Sequence, residues 1–236
     1  MTPDYLKDEF LQVLEKQYFS SKTNPLRKNA FKSFKIRGLP DKKLEDWRFT
    51  DLSSIKRGSY RISDHDAISK EPIDLSQFGL DSFDTLVFIN GRFQDHFSSV
   101  PDNVNLMSHQ EYLERCNWEV HQPDASPFDL LNTAFMDSGI CITIEEGNKI
   151  DVPLRMLNIT SGVSGTMVSP RVYIDVEESC SMKLIEQHVG HAGEYFCNQS
   201  TIISIEKNAR LDHVIIQNNS RNTTENCSKS TTRIII

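Results

Sequence analysis

Three side chains in the second half of the chain have the types and spacing of metal ligands. His188 and His191 are three residues apart, and Cys197 follows in the same stretch. Imidazole nitrogen and thiolate sulfur both suit iron and zinc, and two histidines at this spacing can converge in a loop. Only one such cluster occurs, however, in a stretch that reads as strand, loop and strand. The sequence therefore predicts structural roles and no metal site, with these three residues as the candidates if a site exists.

Three aspartates supply the carboxylates that a hydrolytic site would need. Asp151, Asp175 and Asp212 lie in the second half of the chain. Paired carboxylates carry out glycoside hydrolysis as acid, base or nucleophile. These aspartates occupy different positions of the internal repeat described below, so the pattern does not pair them. A carbohydrate-active enzyme stays an alternative hypothesis, and the sequence predicts no catalytic residue.

Motifs that bind nucleotides or activate a nucleophile are absent from the sequence. There is no G-x-x-x-x-G-K-[ST] phosphate loop, no G-x-G-x-x-G and no G-x-S-x-G elbow. The five cysteines are widely spaced and form no C-x-x-C pair, which argues against a disulfide framework or a zinc ribbon. No cofactor-binding residue can therefore be assigned from the sequence.

Charge and hydropathy limit the possible location and partners. The net charge is −7, with +4 over residues 1–50 and −11 over the remainder. The recognised basic motifs of nucleic-acid binding are absent. No apolar run approaches the roughly 20 residues that span a bilayer, and the polar start MTPDYLKDEF is unlike a secretory signal. We therefore expect a cytoplasmic protein that binds neither nucleic acid nor membrane.

The first third of the chain has helical periodicity. Leu6, Phe10 and Val13 fall on one face of a predicted helix. The pair Asn24-Pro25 is typical of a second helix start, and Gly38 is a typical helix end. These helices must position whatever the second half of the chain carries.

A turn and a further helix follow in the next hundred residues. The run TLVFI followed by Asn90-Gly91 predicts a β-hairpin, because Asn-Gly adopts the two positive φ angles of a type I′ turn. Ser126 and Pro127 then predict the start of another helix. Residues 1–138 are therefore predicted to form a helical, α+β N-terminal domain.

An internal repeat replaces helical periodicity in the remainder. The segments ITIEEGNKI, IDVEESCSM and ISIEKNARL begin at Ile142, Ile174 and Ile203, and these starts are 32 and 29 residues apart. A strand followed by a tight corner and recurring at this period is typical of a β-solenoid. We predict that residues 139–236 form such a core, with an antiparallel sandwich as the alternative. The ending TTRIII stops in mid-strand, so we expect a chain truncated at its C-terminal end.

The repeat also aligns corner residues and charges. The corners contain Gly147, Ser179 and Asn208, which suit left-handed backbone. The aligned acids are Glu145, Glu177 and Glu206. Like charges stacked at strand spacing repel, so this column must be solvated or neutralised. We interpret it as a device that keeps an edge soluble rather than as a binding site.

One early segment, GLPDKKLEDWRFTDLSSI, combines an aromatic residue with flanking charges. Glu45 and Asp46 precede Trp47 in it, and we interpret these three residues as having a structural packing role rather than forming a binding site. This segment resembles an element near the start of SufB/SufD-family iron–sulfur cluster assembly proteins. Three later stretches agree in order: LVFINGRF, SPFDLLNTAFMDSGICITIEEG and SPRVYIDVEESCSMKLIEQHVG. The early EDW element and the helical arm place the resemblance closer to the SufD branch and to its N-terminal half.

The resemblance implies a fold and a function. The implied fold is mainly β, a right-handed parallel β-helix after a helical N-terminal domain. The implied function is that of a non-catalytic scaffold subunit in a SufBCD-type complex, with a SufC-type ATPase and a SufB-type subunit as partners. The complex would form the iron–sulfur cluster transiently, with no cofactor held stably by this chain. Both partner interfaces are expected in the missing C-terminal half; a homodimer or a self-assembling structural solenoid stays an alternative.

Overall fold

A computed structural model describes residues 2–15, 23–62, 73–79, 83–115, 125–160, 165–190 and 195–218, and the backbone of 227–235. The α-helices in these residues are α1 (Asp4–Glu15), α2 (Asn24–Arg37), α3 (Ser53–Arg57), α4 (His109–Arg115) and α5 (Pro127–Phe135). The strands are β1 (Arg61–Ile62), β2 (Thr85–Ile89), β3 (Arg92–Phe93), β4 (Val104–Ser108), β5 (Ser138–Ile144), β6 (Leu154–Thr160), β7 (Thr166–Val168), β8 (Pro170–Val176), β9 (Ser181–Gly190), β10 (Tyr195–Ile205), β11 (Arg210–Asn218) and β12 (Cys227–Ile235). Short 3-10 helices lie at Glu45–Trp47, Leu75–Phe78 and Asp95–Phe97.

The predicted helices form, with small shifts at their ends. Helix α2 begins at Asn24 after Thr23, and its last turn ends at Gly38, whose amide donates to Phe34 O. Ser126 caps α5 in a complete capping box with Asp129. The apolar faces meet in an aromatic cluster in which the rings of Phe10 and Phe31 stack at 4.0 Å. This cluster holds the helical layer together.

The strands form two sheets that enclose a hydrophobic core between them. One sheet has the order β1-β7-β10-β8-β5-β4, with β12 also paired to β10; the other has the order β11-β9-β6-β2-β3. Their facing sides pack Ile142 and Ile174 of the first sheet with Met156 and Leu184 of the second. Since side chains alternate along a strand, the opposite side of the first sheet is left to contact the helices.

The internal repeat corresponds to the observed register. Ile142 pairs with Ile174, and Ile174 pairs with Ile203, across parallel ladders between β5, β8 and β10. The predicted corners adopt left-handed backbone: φ is 77° at Gly147, 62° at Ser179 and 59° at Asn208. The predicted hairpin is also confirmed, because Asn90 and Gly91 have positive φ and β2 pairs antiparallel with β3.

The prediction of a mainly β, right-handed parallel β-helix is wrong. Both sheets are mixed, because β4 pairs antiparallel with β5 and β3 pairs antiparallel with β2 beside the parallel pairs. Helices also account for a large part of the described chain. The physical reason is that the Asn90-Gly91 turn reverses the chain and that β4 adds to the free edge of β5 in the opposite direction. The fold is therefore a mixed α and β structure.

The proposed boundary near residue 138 stays a prediction. Strand β2 lies before it, yet β2 pairs in parallel with β6, which lies after it. The hydrophobic cluster that contains the helical residues Phe10 and Phe31 likewise includes Met167 and Phe196 from later strands.

A buried polar joint attaches the helices to the first sheet. Asn132 of α5 donates to Pro170 O and Asn198 O, and its Oδ1 accepts from Arg171 Nε at 2.8 Å. Arg27 of α2 donates to Ala134 O and Met136 O. Burial lowers the pKa of Arg27 to about 10, an effect that the nearby carboxylate of Asp137 partly offsets. These bonds satisfy two guanidinium groups that would otherwise be costly to bury.

Replacing Asn132 by leucine is expected to lower the free energy of unfolding by about 2–3 kcal/mol. The change conserves size but leaves two carbonyls and the Arg171 Nε–H without their partner. Urea titration of the variant measures the effect. The matched control is Asn103→Leu, because Asn103 donates to Lys149 O at the surface. Equal losses in the two variants would contradict the importance of this joint.

Candidate functional site

The space between the two sheets becomes polar at one end, around a buried carboxylate. Glu186 of β9 is fully buried. Its Oε1 accepts hydrogen bonds from His188 Nε2 at 2.9 Å, from Gln199 Nε2 at 2.8 Å and from Thr201 Oγ1 at 3.2 Å. Its Oε2 accepts from His213 Nε2 at 2.9 Å. Four donors thus converge on one carboxylate inside the protein.

Strand register explains why these side chains meet. Leu184 lies in the core between the sheets, and residues two apart on a strand share a face, so Glu186 and His188 also point inward. His213 of β11 pairs with Leu184 of β9 and therefore lies on the same side. On β10, Gln199 and Thr201 alternate in step with the core residue Ile203, so all three side chains lie on the same side of the strand. That side faces β9 across the space between the sheets.

The four donors keep Glu186 ionised. Burial alone raises the pKa of a carboxyl group, but the hydrogen bonds and charges of His188 and His213 outweigh it and lower the pKa of Glu186 to about 2. A buried charge of this kind is stable only while its partners remain in place. The cluster therefore fixes the relative positions of β9, β10 and β11.

Cys197 lies near the same polar region and is held as a thiol. It is buried on β10 and is hydrogen-bonded to Thr160 of β6. Burial raises the pKa of Cys197 to about 11, and the charges of Asp137 and Glu186 add to this effect. The thiolate is the form that binds metals and attacks electrophiles, and burial favours the thiol form of Cys197 at neutral pH. Beside His188 across the ladder, Asn158 is also buried, and its Nδ2 has no hydrogen-bond partner among the described residues.

The candidate metal ligands have separate hydrogen-bond partners. His188 bonds to Glu186 and Cys197 to Thr160, while His191 lies outside the described residues. Within the part of the chain that the structure describes, no group of three or more His, Cys, Asp or Glu side chains could hold a metal ion. The expectation that these three residues hold no metal stays a prediction.

The EDW element lies in the 3-10 helix at the edge of the helical layer. Trp47 stacks on Phe128 of α5, with ring centroids 5.1 Å apart. Glu45 and Asp46 are exposed. A structural role for the three residues stays a prediction, and the packing that it requires of Trp47 is present.

The three aspartates do not form a carboxylate pair. Asp175 lies on the outer side of β8, in the first sheet, and Asp212 lies on the outer side of β11, in the second. The stacked sheets therefore separate them. Asp212 is bound to Arg210 at 3.1 Å, and Asp151 is exposed in a loop.

Sequence reasoning found His188 but missed the residues around it. Gln199, Thr201 and His213 lie 11 to 25 residues beyond His188, and no spacing motif connects them to it, while Glu186 lies only two residues before His188. The sequence of β9 did contain a signal for Glu186. In the alternation of this strand, Glu186 occupies the same side as the apolar residues Met182 and Leu184. A charge at an inward position of a buried strand predicts polar partners on neighbouring strands.

Fold and site together define a class of protein. It has two stacked mixed sheets covered by helices on one side, and an interior tied together by an ionised carboxylate and two imidazoles. Among the described residues, no helix is both long and apolar enough to cross a membrane.

Comparison of the sequence with models of known protein families shows which family the chain belongs to. The family model for the SufBD protein N-terminal region matches residues 6–156, and the model for the SUF system FeS cluster assembly SufBD core domain matches residues 158–233. The chain therefore belongs to the SufBD family.

Curated relatives agree with this membership. The chain is 25% identical to the iron–sulfur cluster assembly protein SufD of Escherichia coli (strain K12), over 82% of this chain and 46% of that protein. It is 28% identical to the iron–sulfur cluster assembly SufBD family protein slr0076 of Synechocystis sp., over 90% of this chain and 52% of that protein. Identity is also 28% to protein ABCI7, chloroplastic, of Arabidopsis thaliana, over 77% of this chain and 41% of that protein. The chain thus spans about half the length of the curated relatives that it matches.

Proposed function

We propose that this protein is a non-catalytic scaffold subunit of a complex that assembles iron–sulfur clusters. The observation that carries the proposal is the match of two SufBD family models to consecutive segments, 6–156 and 158–233. The names of two relatives, which describe iron–sulfur cluster assembly proteins, support the same function. The iron–sulfur cluster is then a product of the complex rather than a resident cofactor of this chain.

The proposed partners are a SufC-type ATPase and a SufB-type subunit. The ATPase would supply the free energy of rearrangement, and the cluster would form transiently between subunits. A cytoplasmic location, without binding to membrane or nucleic acid, belongs to the same proposal. The buried Glu186 cluster supports a structural contribution from this chain, because it fixes three strands in one arrangement without presenting a reactive group at the surface.

Co-expression of the tagged full-length protein with a SufC-type and a SufB-type protein from the same organism tests the proposal. We expect all three to co-purify, and anaerobic addition of iron and sulfide to give cluster absorbance that decreases when this subunit is omitted. The control is an unrelated tagged protein of similar charge. Failure to associate, together with unchanged cluster formation when the subunit is omitted, would contradict the proposed function.

A further inference from the structure

Helix α1 exposes a row of carboxylates on the side opposite its buried face. Asp4, Asp8 and Glu15 are exposed, and their spacing of four and seven residues places them on one face of the helix. We call these three residues the acidic row. Leu11 lies in the same row and is 59% exposed, so the row has an apolar residue at its centre.

Helix α2 exposes a row of the opposite charge with similar spacing. Lys28, Lys32 and Lys35 are exposed, and their spacing of four and three residues again places them on one face. We call these three residues the basic row. Ile36 lies beside it and is 79% exposed. Helix α2 contains no Asp or Glu, so nothing in the helix itself neutralises the row.

The two rows lie on neighbouring helices without neutralising one another. Helices α1 and α2 contact through the stacked rings of Phe10 and Phe31, which face the core. Asp4 is paired with Lys7 of its own helix. Among the described residues, no ion pair joins the acidic row to the basic row. The chain therefore presents negative and positive charge side by side to the solvent.

Stability of the individual helices does not account for these charges. Helix α1 ends at Glu15 and has no basic residue in its last turn, although the carbonyl end of a helix favours positive charge. Helix α2 has no acidic residue in its first turn, and Lys28 follows that turn directly, although the amide end favours negative charge. Each row thus places a charge where its own helix is destabilised by it.

We propose that a second copy of this chain packs on these helices, with the acidic row of each copy against the basic row of the other. A two-fold axis makes this contact twice, because every residue pair recurs with the copies exchanged. A complementary surface must carry an acidic and a basic row side by side, and the chain itself carries such a pair. Leu11 and Ile36 then supply the apolar centre that interfaces place inside a polar rim. This inference does not depend on the proposed function.

The resulting dimer is expected to be weak and sensitive to salt. Helices α1 and α2 have 12 and 14 residues, which corresponds to lengths of about 18 and 21 Å, so the interface is small. Sedimentation velocity of the full-length protein measures the dissociation constant. We expect it to rise at least about tenfold between about 20 mM and about 500 mM salt. A wild-type protein that stays monomeric at low salt, or one whose association ignores salt, would overturn the proposal.

Charge-reversed variants distinguish this interface from association elsewhere. The acidic-row variant is Asp8→Lys with Glu15→Lys, and the basic-row variant is Lys28→Glu with Lys32→Glu. Each variant alone brings like charges together in both halves of the dimer, so we expect at least about tenfold weaker self-association. Lysine and glutamate are both good helix formers, and circular dichroism of each variant verifies that the helices are retained.

Mixing the two variants gives the decisive result. The reversed row of each variant then meets the reversed row of the other, and the two unchanged rows also meet, so opposite charges face each other in both halves. We expect a heterodimer with an affinity within about threefold of the wild-type dimer. A mixture that associates no better than either variant alone would overturn the proposal.

The matched control reverses two acids outside the helices. Glu146 and Asp151 are exposed, and Glu146→Lys with Asp151→Lys changes the net charge by the same amount as the acidic-row variant. We expect this control to associate like the wild type. Equal weakening by the control and by the acidic-row variant would show that total charge, rather than the two rows, determines self-association, and would contradict the proposed interface.

Discussion

Glu186→Ala is expected to lower the free energy of unfolding by about 3–5 kcal/mol, the range found when one partner of a buried charged pair is removed. The variant leaves His188, His213, Gln199 and Thr201 without their common acceptor. Chemical denaturation at neutral pH, followed by circular dichroism, measures the loss. The control Glu146→Ala removes an exposed carboxylate and is expected to change stability by less than about 0.5 kcal/mol. Similar losses in the two variants would show that the cluster contributes little.

The pH dependence of stability gives an independent readout of the same carboxylate. The pKa of Glu186 is lowered to about 2 in the folded state from an ordinary value of 4.5. A depressed folded pKa means that the unfolded chain binds the proton more readily, so the contribution to stability is present above about pH 4.5 and is lost as pH falls toward 2. Glu186→Gln removes this component. The difference in unfolding free energy between wild type and variant should therefore shrink between pH 5 and pH 3, and a constant difference would contradict the assignment.

Gly139→Ala is expected to lower the free energy of unfolding by more than about 4 kcal/mol or to prevent folding. Gly139 lies in β5 with φ 141°, and an added Cβ would be 1.7 Å from Arg171 O on the neighbouring strand. That oxygen belongs to the backbone of β8, so relief requires the two paired strands to separate. Thermal unfolding, or the folded fraction after expression if the variant is unstable, measures the effect.

Gly147→Ala is the matched control for this position. Gly147 also has a positive φ, 77°, but a Cβ there meets nothing within 4 Å. We expect a loss of about 1–2 kcal/mol, which is the conformational cost of left-handed backbone alone. A Gly139→Ala variant no less stable than Gly147→Ala would show that the strand contact is not as close as described.

Local features were predictable from the sequence because their causes are local. The turn at Asn90-Gly91 and the left-handed corners at Ser179 and Asn208 depend on a few adjacent residues. The alignment of Ile142, Ile174 and Ile203 was also predictable, because each repeat places an apolar residue where its neighbour does, and a shift by one residue would reverse every side chain.

The fold class was not predictable in the same way. The repeat indicated parallel pairing, which the ladders between β5, β8 and β10 contain. It carried no information on β4, which has no counterpart in the repeat and adds antiparallel to the edge of β5. Edge pairing of this kind depends on which backbone groups remain free after the rest of the sheet has formed, and that is a property of the assembled structure.

The sequence by itself determined the helices, the tight turns, the repeat register and the membership of the SufBD family. Only the tertiary structure decided that Glu186 accepts hydrogen bonds from His188 of one sheet and from Gln199 of the other. The physical reason is that hydrogen bonds of buried polar groups are satisfied across strands that are distant along the chain. Periodicity shows which side of a strand a residue occupies, and packing decides which residues it meets there.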